Sequence, residues 1–175
     1  MLPRRALVRL SAAVLVAPAV AQAQPAPGAL VRLWSGLELI DSQGQTFRLA
    51  DIPQRLKVVK LWANWCSACL IEMPSLTAFT KAFGEHQAQI LLVSNPDDWQ
   101  RDQLAARRLK LPFRLATLSP TNVVSSSRAA LLDRDGAYVV PRSFVFTGPE
   151  NVLAAQHTGC CDWAEEARHL KAQLG

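Results

Sequence analysis

Residues 62–69 read Trp62-Ala63-Asn64-Trp65-Cys66-Ser67-Ala68-Cys69. The run follows an apolar, β-rich segment, Lys57 to Trp62, and opens a helix-like one from about Ser67 to Phe83. A strand that turns into a helix at this point sets Cys66 at the helix tip and Cys69 within the first turn. The helix N-terminus carries about half a positive charge and unpaired N–H groups, and both stabilise an anion. They lower a thiol there below its free value of about 8.5. Cys66 therefore reads as a nucleophile and Cys69 as the thiol that resolves whatever Cys66 captures. Half a zinc site and two buried structural cysteines are the other readings of the pair.

Outward from the motif, helical spacing continues through Leu70, Met73, Leu76, Phe79 and Phe83, with Gly84 as a stop and Pro74 as an expected kink. Upstream, Leu37 to Ile40, a turn at Asp41-Ser42-Gln43-Gly44, and Gln45 to Leu49 predict a β-hairpin. Downstream, Ile90 to Ser94 reads as a buried strand, Asp97 to about Leu109 as a helix, and Arg114 to Leu118 as a short strand. A helix over Thr121 to Leu132 and a turn at Asp133-Arg134-Asp135-Gly136 follow. Ser143 to Thr147 and Val152 to His157 predict a second hairpin, and Asp162 to Leu174 an amphipathic helix. Alternating β and α elements with buried strands predict an α/β fold, a sheet covered by helices.

Composition is that of an ordinary globular domain: 175 residues, 50% hydrophobic and 19% charged. The formal charge is +5, and it falls to +2 once Arg4, Arg5 and Arg9 are set aside. A body so weakly basic does not predict nucleic-acid binding. Those arginines and the apolar stretch Leu10 to Ala21 read as a secretory signal over residues 1–23, followed by a linker over 24–36 and a folded domain over 37–175. The apolar stretch is short of the roughly 20 residues of a bilayer span, so no integral membrane span is expected. In an exported chain four cysteines normally imply structural disulfides. Here two are three residues apart and two, Cys160 and Cys161, are adjacent. Loops that small restrict the unfolded chain little, so the cysteines read as chemical.

At this point a family resemblance enters. Trp62-Ala63-Asn64-Trp65-Cys66-x-x-Cys69-x-x-Glu72-x-Pro74 resembles the active-site signature of thioredoxin-like extracytoplasmic thiol–disulfide oxidoreductases of the TlpA/ResA type. Val140-Pro141-Arg142-Ser143-Phe144-Val145-Phe146 resembles that superfamily's cis-proline segment, and Gly159 through Trp163 its Gly-x-x-Asp-Trp junction. The resemblance implies a thioredoxin-like fold: a central mixed β-sheet flanked by helices, with an N-terminal β-hairpin extension. It implies a periplasmic or otherwise extracytoplasmic enzyme without a cofactor. Its partners would be protein thiols and disulfides, for example in apocytochrome c or copper-site proteins, and a membrane-embedded electron donor. Cys66, Cys69 and Glu72 would be catalytic. Trp65, Val140 and a cis Pro141 would meet substrate.

Three departures from the pattern carry further expectations. Ser67-Ala68 between the cysteines contains no proline. Lys60 stands where thioredoxins carry a buried acid, and a buried lysine needs a partner, for which Glu72 is a candidate. If they pair, Glu72 is held ionised and is a poorer proton donor. Cys160 and Cys161 are read as accessory redox thiols, as a vicinal disulfide, or as inert thiols. A soft-metal site for copper or zinc on Cys66, Cys69, Cys160 and Cys161, with His157 as a further ligand, is the competing function. Otherwise His157 reads as a surface residue at a strand end. A peroxidase of related fold does not match the Cys66-x-x-Cys69 spacing.

Overall fold

The computed structural model describes residues 34–84, 86–120 and 137–174. The expected signal segment, most of the linker, the helix over Thr121 to Leu132 and the turn after it lie outside these residues. The strands are β1 (Glu38–Asp41), β2 (Thr46–Arg48), β3 (Leu56–Leu61), β4 (Ala88–Ser94), β5 (Arg114–Leu118), β6 (Arg142–Thr147) and β7 (Val152–Thr158). The helices are α1 (Ser67–Phe83), α2 (Trp99–Arg108) and α3 (Trp163–Leu174).

The seven strands form one sheet in the order β2-β1-β5-β4-β3-β6-β7. β3, β4 and β5 are parallel, and the outer pairings are antiparallel. Parallel neighbours need a crossover, which α1 supplies between β3 and β4 and α2 between β4 and β5. This is the expected mixed sheet with an N-terminal hairpin.

Side chains alternate across the sheet with the period of two that a pleated strand imposes. Val58, Ile90, Leu92 and Val145 face one apolar cluster with Met73, Leu76 and Phe79 of α1 and Trp163, Ala167 and Leu170 of α3. Val59, Leu61, Leu91, Val93, Phe144 and Phe146 face a second cluster with Trp34, Leu37, Leu39 and Phe47. Trp34 to Gly36, part of the expected linker, form a helical turn. Trp34 is fully buried, its ring centroid 5.3 Å from that of Phe144. An indole of that size is a core anchor wherever it stands in the chain, and burying an aromatic side chain stabilises by about 1.5–3 kcal/mol.

Cys66 caps α1, its sulfur accepting the Cys69 N–H at 3.1 Å. The helix continues through Pro74, which is exposed, and stops at Gly84, whose φ of +83° suits a residue without Cβ. α2 starts at Trp99, after a 3-10 turn over Pro96–Asp98 with Pro96 in its first position.

Candidate active site

β3 ends at Leu61, deep in the sheet. Trp62 and Ala63 stay fully buried and deliver Cys66 to the start of α1. Cys66 and Cys69 form a disulfide with Cα atoms 5.2 Å apart. The two halves differ in access: Cys69 is fully buried, whereas Cys66 retains 6% of its surface. The more accessible cysteine is thus the one at the helix terminus. In this disulfide-bonded state neither sulfur is a free thiolate.

A polar shelf holds the approach to the disulfide. The Asn64 backbone N–H and side-chain amide both donate to Asp102 Oδ1, each at 2.7 Å. Asp102 is fully buried, and its other oxygen has no hydrogen-bond partner in the structure. Trp65 is 59% exposed and its indole N–H donates to Asp98 Oδ2 at 3.3 Å. Arg101 pairs with the other oxygen of Asp98. Tyr138 places its hydroxyl 3.1 Å from the Trp62 carbonyl and 2.7 Å from the Val93 carbonyl. Burial, and then the charges of Asp102 and Asp98, push its phenol above the usual range, so it acts as a neutral donor. The motif reading did not reach Asp98, Asp102 or Tyr138. Asp98 is the residue that precedes α2 and Asp102 stands four residues on, in its first turn.

The Val140–Pro141 peptide is cis and Pro141 is buried. Gly159 donates its N–H to the Pro141 carbonyl at 2.9 Å and sits at φ +86°. That left-handed glycine turns the chain out of β7 and lays the Gly159–Trp163 junction against the cis-proline segment.

Beneath Cys69, one helical turn further along α1, lies Glu72. It is 4% exposed and pairs with the fully buried Lys60. Its second oxygen accepts the Cys161 N–H at 2.6 Å. Lys60 also reaches Ser143 Oγ at 3.4 Å and stands 5.8 Å from the Trp163 ring centroid. Burial pulls the Lys60 pKa down, and the hydrogen bond and charge of Glu72 oppose that. The departure seen at Lys60 thus has the partner that the sequence offered for it.

Cys160 and Cys161 are both free, so the vicinal disulfide is not formed. Bonding adjacent cysteines demands a strained peptide geometry, and here the Cys161 N–H is instead committed to Glu72. Cys160 is exposed; Cys161 is half-buried against the α1–α3 cluster. Burial, followed by the charges of Glu166 and Glu72, pushes the Cys161 thiol up to about 12. His157 is half-buried rather than a surface residue, because its ring packs edge-on against Trp163 at 6.0 Å. A separate cleft of about 620 Å³, lined by Asp41, Arg107, Lys110 and Arg114 among others, shares no residue with the cysteine motif.

No curated protein matches this chain. Its fold is similar to that of the thioredoxin domain of a thiol-disulfide oxidoreductase from Bacteroides vulgatus (TM-score 0.62, 20% identity, covering 77% of this chain and 91% of that one). It is also similar to a thiol:disulfide interchange protein of the thioredoxin family from Chlorobium tepidum (0.60, 17%, 79% and 92%). A third likeness is to a secreted Mycobacterium tuberculosis disulfide oxidoreductase homologous to Escherichia coli DsbE (0.57, 15%, 81% and 97%). The model of the AhpC/TSA family matches residues 31–155. The chain thus belongs to the AhpC/TSA family, and within it is a thioredoxin-like oxidoreductase.

Proposed function

We propose that the protein is an exported reductant of selected extracytoplasmic disulfides, with Cys66 as nucleophile and Cys69 as resolving thiol. The observation that carries this reading is the unequal exposure of the two cysteines at the α1 terminus. In the reduced protein the Cys66 thiolate attacks one sulfur of a substrate disulfide. The other substrate sulfur leaves as a thiolate and takes a proton. Cys69 loses its proton and attacks Cys66 Sγ, releasing the second substrate sulfur and closing the disulfide seen here. Two electrons pass to the substrate, and a dithiol donor, membrane-embedded in this proposal, restores the pair.

Around that exchange, exposed Trp65 offers an apolar pad and the Val140 backbone, beside Pro141, offers hydrogen bonds to an extended peptide. Glu72, paired with Lys60 and bonded to the Cys161 N–H, is a fixed polar support under Cys69. Cys161, held protonated, is a poor nucleophile, which leaves Cys160 as the accessory redox thiol. Residues 1–23 would export the chain, and among the described residues no helix is long and apolar enough to cross a membrane. Candidate substrates are apocytochrome c and copper-site proteins.

The test is a Cys69→Ser variant incubated with exported proteins from a periplasmic extract. Mixed disulfides through Cys66 are expected, and Cys66→Ser should reduce a model disulfide at the uncatalysed rate. The midpoint of the couple gives the direction. A value near about −270 mV fits a reductant, and one near about −120 mV would overturn that part in favour of an oxidant.

A further inference from the structure

We propose that His157, Cys161 and Glu166 form a binding site for a zinc-class divalent cation, separate from the redox pair. One nitrogen, one sulfur and one carboxylate oxygen from these residues all lie within 4.8 Å of one another. They come from three consecutive pieces of structure: the end of β7, the junction after Gly159 and the first turn of α3. A nitrogen–sulfur–oxygen donor set suits zinc, which takes three protein ligands and leaves a fourth position for water.

The distances support it. Donors on one tetrahedral zinc, at bond lengths of about 2.0–2.3 Å, stand about 3.3–3.6 Å apart. His157 Nε2 and Glu166 Oε2 are 3.2 Å apart. The Cys161 sulfur lies within 4.8 Å of both.

A second observation is independent of that spacing. His157 Nε2 is closed off from solvent, yet makes no hydrogen bond in the structure. Glu166 approaches it at ion-pair distance without hydrogen-bond alignment. A buried ring nitrogen is rarely left in that state, because its desolvation costs about 1–3 kcal/mol. A cation between the imidazole, the carboxylate and the sulfur would satisfy it. The surrounding charge agrees in sign: the groups that act on Cys161 are Glu166, Glu72 and Asp162 against the single cation Lys60.

On binding, the Cys161 S–H proton passes to solvent and the sulfur–metal bond replaces the S–H bond; no electron moves. The inference does not rest on the proposed function, since neither Cys66 nor Cys69 is a ligand.

The test uses the full chain with the Cys66–Cys69 disulfide closed and cobalt(II) as the probe. One equivalent should produce a sulfur-to-cobalt charge-transfer band. Cys161→Ser should abolish it, and Glu166→Gln and His157→Gln should each weaken cobalt binding by about tenfold or more. Cys160→Ser should leave it unchanged. Glu166 is at the edge of the core, so Glu166→Gln keeps the test valid should Cys161→Ser fail to fold. No band, a band that follows Cys160, or one that appears only after the redox pair is reduced would overturn the site.

Discussion

Val59 and Lys60 are neighbours in one strand and enter opposite worlds. Val59 faces the apolar cluster built on Trp34, Leu39, Phe144 and Phe146. Lys60 faces the helix-covered side, among Val58, Phe79 and Trp163, where it pairs with Glu72 below Cys69. A buried ion pair rarely outweighs the desolvation of its members, and an apolar replacement is often neutral or stabilising. One face is therefore made for stability. The other gives up some stability to hold charge next to a disulfide.

Two substitutions should cost about the same and yet read differently. Trp34→Ala removes a fully buried indole and should lower stability by about 3–5 kcal/mol. Glu72→Ala leaves Lys60 buried without its carboxylate and should also lower stability by about 3–5 kcal/mol. Only Glu72→Ala should raise the Cys66/Cys69 midpoint, by on the order of 30 mV, because loss of a nearby negative charge favours the thiolate of the reduced pair. Urea midpoints and redox titrations separate the two effects. An equal redox shift in Trp34→Ala would break the division between the faces.

pH sharpens the same contrast. The folded pKa of Lys60 lies below its ordinary 10.5. Between the folded value and 10.5 the unfolded chain holds the proton more tightly than the native one, so stability rises with pH across that window and levels above it. Glu72→Ala removes the partner that opposes the shift and widens the window downward. The variant should thus regain part of its lost stability between pH 7 and pH 10, and Trp34→Ala should regain none of its own. The next effect in size is the paired replacement Lys60→Met with Glu72→Leu. It should be neutral or stabilise by about 1–4 kcal/mol, and it should still move the midpoint.

Much of this molecule is visible in its sequence where a period or a motif speaks locally. α1 spans Ser67–Phe83 and β5 spans Arg114–Leu118, as apolar spacing predicts. The cis peptide before Pro141 and the pairing of Lys60 with Glu72 follow from the motifs and from the cost of an unpaired buried charge. What escaped depends on long-range juxtaposition. Trp34 sits in a Pro-rich, linker-like stretch, and its ring meets those of Phe144 and Phe146, more than a hundred residues on, in the core. Asp102 carries no mark of burial until Asn64, from the connection between β3 and α1, donates to it. Glu166 reads as one more charge on an amphipathic helix until β7 brings His157 beside it.

The apolar face has an ion pair of its own, at its rim, and it should give the smallest effect. Asp41 Oδ2 meets Arg114 Nη2 at 2.8 Å, and that guanidinium lies 3.6 Å over the Phe47 ring. Asp41 Oδ1 accepts the N–H groups of Gln43 and Gln45, each at 3.0 Å. Burial works to raise the Asp41 pKa, but Arg114 and the two N–H groups outweigh it and hold the carboxyl below its ordinary 3.8. The unfolded chain therefore binds the proton first as acid is added. The contribution is complete above about pH 5 and is lost as pH falls through the folded value. Arg114 is one-third exposed, so solvent screens the pair, and Asp41→Asn should cost no more than about 1 kcal/mol at pH 7. Below pH 4 the variant and the parent should converge in urea midpoint. If Asp41→Asn instead matched the loss in Glu72→Ala, charge at the rim would matter as much as charge in the core, and the contrast between the two faces would be one of position alone.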